Sequence, residues 1–176
     1  MELKRIAVTV LALLPWMPNI AFAESPQIPP PHSFPFDASR GDSLLDTDFQ
    51  IRQHRNYYFS LQFDYAGEDD LWRVLKLVGR SNEPGVIIPV YLKVLRIQPG
   101  SNPESIYEGS VETKSSFVHG FTETKFHGNY RRMIEVIALK PGLYRLQVRT
   151  IKESPELVGT LSHINIEYHS NARPLD

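Results

Sequence analysis

The stretch Asn56-Tyr57-Tyr58-Phe59-Ser60-Leu61-Gln62-Phe63-Asp64-Tyr65 constrains the fold more than any other part of the chain. Tyr57, Phe59, Leu61, Phe63 and Tyr65 occupy every second position, with Tyr58, Ser60, Gln62 and Asp64 between them. A period of two over this length predicts an extended strand with one apolar and one polar face. Such a strand cannot stand alone, because its aromatic face must be buried under a second layer. The signature recurs near the end of the chain, where Tyr144, Leu146 and Val148 alternate with Arg145, Gln147 and Arg149. The preceding Lys140-Pro141-Gly142 reads as a tight hairpin linking that strand to another over 131–139.

Weaker signals complete the pattern. Phe49 and Ile51 predict a short strand before Tyr57, and Ile164, Ile166 and Tyr168 one that closes the domain. Residues 86–97 are apolar on both faces, as in a strand near the middle of a sandwich. Pro89 cannot donate to a ladder, which predicts an edge or a bulge there. Residues 99–129 are polar and alternate weakly, predicting two short strands among long loops. One segment, residues 67–80, changes period: Leu71, Val74, Leu75 and Val78 are spaced as one stripe of a helix of about three turns. Glu68, Asp69 and Asp70 suit its positive N-terminal end, and Gly79 with Arg80 its C-terminal end. Six to eight strands and one short α-helix predict an antiparallel β-sandwich of the immunoglobulin or C2 type.

The domain plan follows from the remaining segments. Lys4 and Arg5 precede an apolar run from Ile6 to Leu14, and Ala21-Phe22-Ala23 offers small residues for cleavage. Residues 1–23 therefore read as a signal peptide. A membrane anchor would need about 20 apolar residues, and Pro15 and Pro18 interrupt this run. Residues 24–35 hold five prolines and form a proline-rich leader, either a tether or a segment docked along the domain. Residues 36–176 form a single domain. Export in this style predicts the periplasm, with secretion as the alternative. With no cysteine in the chain, neither disulfides nor a lipidated cysteine is possible, so the exported protein is expected to be soluble and held by its core.

Charge and residue types narrow the chemistry. Beyond residue 23 the chain carries 17 basic and 19 acidic residues, a balance that creates no field for nucleic acid or an anionic membrane. Thiol catalysis is excluded. Glu108-Gly109-Ser110-Val111-Glu112 lacks the second glycine of a nucleophile elbow, so Ser110 reads as a loop or strand serine. No two of the six histidines share the close spacing of a helical zinc site. His163 and His169 would stand roughly 20 Å apart on a strand; His119 and His127 could meet across a hairpin. Asp37, Asp42, Asp46 and Asp48 suggest a calcium loop, but an EF-hand starting at Asp46 would need glycine where Ile51 stands. Asp69 and Asp70 point about 100° apart on a helix and cannot flank one bond. The expectation is a protein without enzymatic activity, metal or cofactor.

Two features suit a binding surface. Trp72 lies at the margin of the apolar helix stripe beside Arg73 and Lys76, the composition of an interface anchor as well as of packing under a loop. Arg145 and Arg149, with Gln147, form an outward row that fits an acidic partner or plain solvent.

The strand "YYFSLQFDY", the helix "LWRVLKLVG", "GVIIPVYLKVLRI" and "LKPGLYRLQV" resemble a family of small exported β-sandwich proteins of Gram-negative bacteria, a domain of unknown function. Some of its members resemble immunity partners of type VI secretion effectors, notably phospholipase toxins. The resemblance implies a soluble periplasmic protein that neutralises a secreted effector by stoichiometric binding. The alternative is an accessory β-sandwich module that binds carbohydrate or another envelope component.

Overall fold

The computed structural model describes residues 32–79, 83–113, 118–121, 127–168 and 175. Two antiparallel sheets face each other. In chain order the strands are β1 (His32–Pro35), β2 (Leu44–Ile51), β3 (Arg55–Ala66), β4 (Ile88–Ile97), β5 (Glu104–Thr113), β6 (Val118–Phe121), β7 (His127–Leu139), β8 (Gly142–Thr150) and β9 (Ser162–Glu167), with helix α1 (Glu68–Val78) between β3 and β4. One sheet has the order β1-β9-β3-β7-β6, and the other β2-β8-β4-β5. The expected sandwich with one helix is what the chain builds.

The alternation of β3 sets the core. Phe59, Leu61 and Phe63 are fully buried and meet Leu92, Val94, Leu146 and Val148 from the other sheet. Tyr144 stacks on Phe49, ring centroids 5.6 Å apart, while Arg145 and Arg149 point outward as the sequence predicts. The helix sits across one end of the five-stranded sheet, with Val74 and Val78 buried. Asp70 reaches back to accept the Ala66 N–H at 2.9 Å, a reason for the acidic first turn beyond the helix dipole. Gly79, at φ 85°, caps the last turn by donating to the Leu75 carbonyl at 2.9 Å.

Three local expectations are revised. Lys140-Pro141 does not close a hairpin: β7 and β8 lie in different sheets, so the turn is an arch over the edge of the core. Tyr144 secures it by donating its hydroxyl to the Lys140 carbonyl at 2.7 Å. A matching arch joins β2 to β3, where the Tyr57 hydroxyl donates to the Gln53 carbonyl at 3.0 Å. Each is a tyrosine corner, in which a buried ring places its hydroxyl on the chain that has just turned. Pro89 lies at neither an edge nor a bulge; it is the second residue of β4, which runs between β8 and β5. Ile151 N–H donates to the Pro89 carbonyl at 3.0 Å, but Pro89 has no N–H to return, so the β4–β8 ladder begins only at Val90, opposite Thr150. Finally, β5 runs ten residues through a stretch expected to be mostly loop. It is an edge strand with one half-wet face, which leaves little apolar alternation to read.

The end of the proline-rich stretch is ordered. His32–Pro35 pairs with β9 at the edge of the five-stranded sheet. His32 is buried beside Phe34 and Phe49, and its Nε2 donates to the Gln50 carbonyl of the facing sheet at 3.2 Å. Burial lowers the pKa of this imidazole from 6.5.

Candidate functional site: the helix-bearing end of the sandwich

Among the described residues, three connections pass from sheet to sheet at one end of the molecule: residues 36–43, residues 67–87 with α1, and residues 151–161; the link from β5 to β6 lies outside the described residues. The last contains a single 3-10 turn, Pro155–Leu157, with Leu157 buried. Backbone hydrogen bonds tie the connections to one another and to the sheet: Ser154 N–H donates to the Ser39 carbonyl at 2.9 Å, and Asp64 N–H of β3 to the Leu161 carbonyl at 3.0 Å. Thr150 donates its hydroxyl to the Arg40 carbonyl.

The anchor of this end is Arg132, which sequence reading missed. It lies on β7 opposite Leu61, so its side chain points into the core, and it is fully buried. Its guanidinium donates to three carbonyls, those of Val78 (2.9 Å), Pro84 and Val86. These belong to the last turn of α1 and the segment returning to β4. Gly79 and Gly85 bring the two backbones so close that a Cβ on Gly85 would stand 2.6 Å from the Gly79 nitrogen. The fork of an arginine suits this role because five donors in one plane can reach several carbonyls at once. No carboxylate pairs with it among the described residues, and burial draws its pKa down to about 10. Its only sequence signal is an arginine in an apolar-phase position of a strand: Tyr130, Arg132 and Ile134 alternate.

Above this anchor the surface is apolar. Trp72 is 55% exposed, Val158 68% and Leu161 71%. Trp72 is next in sequence to Arg73, and Val158 and Leu161 lie within two residues of Thr160, whose hydroxyl accepts from Arg73 at 2.8 Å and ties α1 to the 151–161 connection. Leu44, Ile87 and Ile151 are exposed at the same end of the four-stranded sheet. Beside Leu44 lies a shallow groove of about 400 Å³ lined by Phe36, Asp37, Arg40 and Asp42. Arg40 holds Asp42 below the usual carboxylate range through a hydrogen bond at 3.1 Å.

The residues singled out from sequence divide between two places. Trp72, Arg73 and Lys76 lie on α1 at this end; Arg73 pairs with Asp70 at 2.7 Å, and Lys76 is exposed. Arg145 and Arg149 lie on the outer face of the four-stranded sheet, where charges are already matched. Arg145 donates to Asp48 at 2.8 Å, and Arg149 stands 5.5 Å over the Tyr91 ring. Lys93 and Tyr91 together hold Glu108 below its usual range. The structure therefore does not join the two groups into one site.

Other candidates resolve locally. Asp46 and Asp48 are strand residues facing Gln147 and Arg145, Asp37 accepts from Ser39, and Asp42 takes Arg40. Each acid has a local partner, and among the described residues no group of three acids or histidines is placed to hold a metal ion. Ser110 is exposed on the edge strand β5, opposite Tyr91. His119 and His127 are not cross-strand partners: His119 pairs with Tyr130, three positions further along β7. Residues 122–126, which complete that hairpin, and His169 lie outside the described residues.

The outer face of the five-stranded sheet is a second polar region that the sequence did not disclose. Gln62 donates to Asp64 at 2.6 Å and accepts from Arg131 at 3.0 Å, and Asn165 donates to Gln62 as well. An ion pair from Arg131 to Glu167 crosses diagonally over β3 and buries Ser60, whose hydroxyl has no partner. His163 Nδ1 lies 3.1 Å from Asp64 Oδ2 but out of hydrogen-bonding alignment.

Comparison with known proteins adds the fold and the family. A protein of Sulfurospirillum deleyianum, solved by crystallography, is 20% identical with a TM-score of 0.65, covering 82% of this chain and 100% of its own. At that identity the likeness shows a shared fold. A carbohydrate-binding module (TmCBM61), solved with β-1,4-galactotriose, is 17% identical with a TM-score of 0.26 over 76% of this chain and 64% of its own, too distant to carry an argument. Nothing among curated proteins matches. The family model described as a domain of unknown function (DUF5625) matches residues 33–168, and the chain belongs to that family.

Proposed function

We propose that this is an exported, non-catalytic binding protein of the immunity type, which blocks a secreted effector by stoichiometric contact. The observation that carries the reading is the exposed cluster of Trp72, Val158 and Leu161 on a braced end of the sandwich. Large apolar side chains gathered on one surface are costly unless a partner covers them. A half-exposed tryptophan on a rigid helix has the make-up of an interface hot spot. The reading of residues 1–23 as a signal peptide supports a periplasmic location, and the sequence resemblance to exported immunity proteins supports a toxic phospholipase or similar effector as the class of partner. No helix among the described residues is long and apolar enough to cross a membrane.

The test is a pull-down with the 24–176 protein from the periplasm of its own host, carrying its secretion apparatus. A single stoichiometric protein partner with lipase or related toxic activity is the expected result. In the cell, deletion of residues 1–23 removes protection. Full protection by the cytoplasmic form would sink the periplasmic part of the reading.

A second reading rests on a separate observation. The outer face of the five-stranded sheet presents amides, carboxylates, a guanidinium and an imidazole in one layer, with the Ser60 hydroxyl unpartnered beneath. Such a surface suits an envelope carbohydrate. Retention on envelope polysaccharide without a protein partner, abolished by Gln62→Ala with Asn165→Ala, would favour it over immunity.

A further inference from the structure

We infer that the partner presents an apolar protein surface ringed by lysine and arginine, and that it docks on the end of the sandwich crossed by 36–43, 67–87 and 151–161. This rests on the protein-binding reading above and adds to it a place and a chemistry. Six large apolar side chains stand exposed at this end: Leu44, Trp72, Ile87, Ile151, Val158 and Leu161. They come from all three connections or the strand starts beside them. Ile151 opens the same connection that carries Val158 and Leu161, so the two halves of the surface are joined by one stretch of chain.

Charge decides what can cover them. The three connections hold eight acidic against five basic residues. Two of the five bases, Arg40 and Arg73, are engaged by Asp42 and Asp70 on the same end. With those two pairs set aside, six acids and three bases remain, and four of the acids flank apolar positions along the chain: Asp69 before Trp72, Glu83 before Ile87, Glu153 after Ile151 and Glu156 before Val158. An apolar centre with an acidic rim is matched by an apolar centre with a basic rim. The same acids repel anionic lipid and nucleic acid, which leaves protein as the occupant.

Position and rigidity agree with this. β1 begins, and β9 ends, at the opposite end of the sandwich, where Leu175 N–H also donates to the His54 carbonyl at 2.7 Å. The Arg132 anchor and the Ser154–Ser39 hydrogen bond fix the connections in place before binding, so little ordering is left to oppose association. The outer sheet faces offer less: Arg145, Lys93 and Arg131 are each matched there by an acid of this chain.

The experiment uses the intact chain and two synthetic amphipathic helical peptides, one of leucine and lysine, the other with glutamate in place of lysine. Calorimetry measures affinity and hydrogen exchange maps the footprint. The leucine–lysine peptide is expected to bind at least about tenfold more tightly and to protect 67–79 and 151–161. Trp72→Ala with Leu161→Asp is expected to weaken it about tenfold or more. Asp46→Asn with Asp48→Asn, on the outer face of the four-stranded sheet, leaves it unchanged. Equal affinity for both peptides, no binding, or protection on a sheet face instead overturns the inference, as does binding to anionic phospholipid vesicles that the peptide cannot displace. The two readings fail separately. A native protein partner whose binding ignores Trp72→Ala with Leu161→Asp refutes this surface and leaves stoichiometric protein binding standing. Absence of any protein partner refutes that reading itself.

Discussion

Replacing Arg132 by methionine tests the anchor directly. Three backbone carbonyls, those of Val78, Pro84 and Val86, lose their donor in a place water reaches poorly. Hydrogen bonds from a charged donor are each worth about 1.5–3 kcal/mol, so the gross loss is roughly 4–9 kcal/mol. Against this stands the cost of holding a guanidinium out of water. Burial draws its pKa down to about 10, a penalty on the order of 3 kcal/mol that methionine would not bear. The net expectation is a loss of about 3 kcal/mol. With a urea dependence near 2 kcal/mol per molar, the unfolding midpoint falls by about 1.5 M at unchanged slope. Hydrogen exchange should report the damage locally, with the amides of the last turn of α1 and of Val86, which donates to Leu77, opening first. Arg132→Lys keeps a charge but cannot span three acceptors, and falls between the two. A methionine variant whose midpoint stays within about 0.3 M of the parent would refute the reasoning, for apolar burial would then offset the three lost bonds.

Other perturbations follow from the same structure. Gly85→Ala places a Cβ against the backbone of Gly79 in a left-handed conformation (φ 65°) and should cost more than about 2 kcal/mol; Gly159→Ala, also left-handed (φ 79°) but with open space around it, should cost about 1 kcal/mol, both read by thermal unfolding. Tyr144→Phe removes only the hydroxyl that donates to Lys140 and should destabilise by about 1 kcal/mol with no change in the footprint of a bound partner. His32 is neutral when buried, and its folded pKa lies below the unfolded 6.5, so stability held above pH 6.5 is lost as pH falls, because the unfolded chain then takes up the proton first. Denaturation between pH 7 and 5 should show this loss, and His32→Phe should flatten it; an unchanged profile would mean that the buried imidazole is not the group titrating.

Much of the architecture was legible because it is local. The Tyr57–Tyr65 alternation and the Leu71, Val74, Leu75, Val78 stripe are periods a single strand or helix must obey wherever it lies, and both elements stand where they were expected. The outward placement of Trp72 and Arg145 follows from the same phase. What could not be read was which elements meet. Lys140-Pro141-Gly142 has the residues of a hairpin, yet whether the chain folds back beside itself or arches to the other sheet depends on where the partner of β8 comes from. That partner is β2 on one side and β4 on the other, about fifty to a hundred residues away in sequence.

The site divides in the same way. The sequence determined by itself that this chain makes strands with one greasy face, one amphipathic helix bearing an exposed tryptophan, and no thiol chemistry, since each depends only on residue type and spacing. Tertiary structure alone decided that Val158 and Leu161 stand beside α1, that Arg145 is already matched by Asp48, and that Arg132 lies buried against three carbonyls. The reason is physical: a periodic pattern fixes the direction in which a side chain points, whereas the partner waiting there is set by contacts between segments that the chain brings together only on folding.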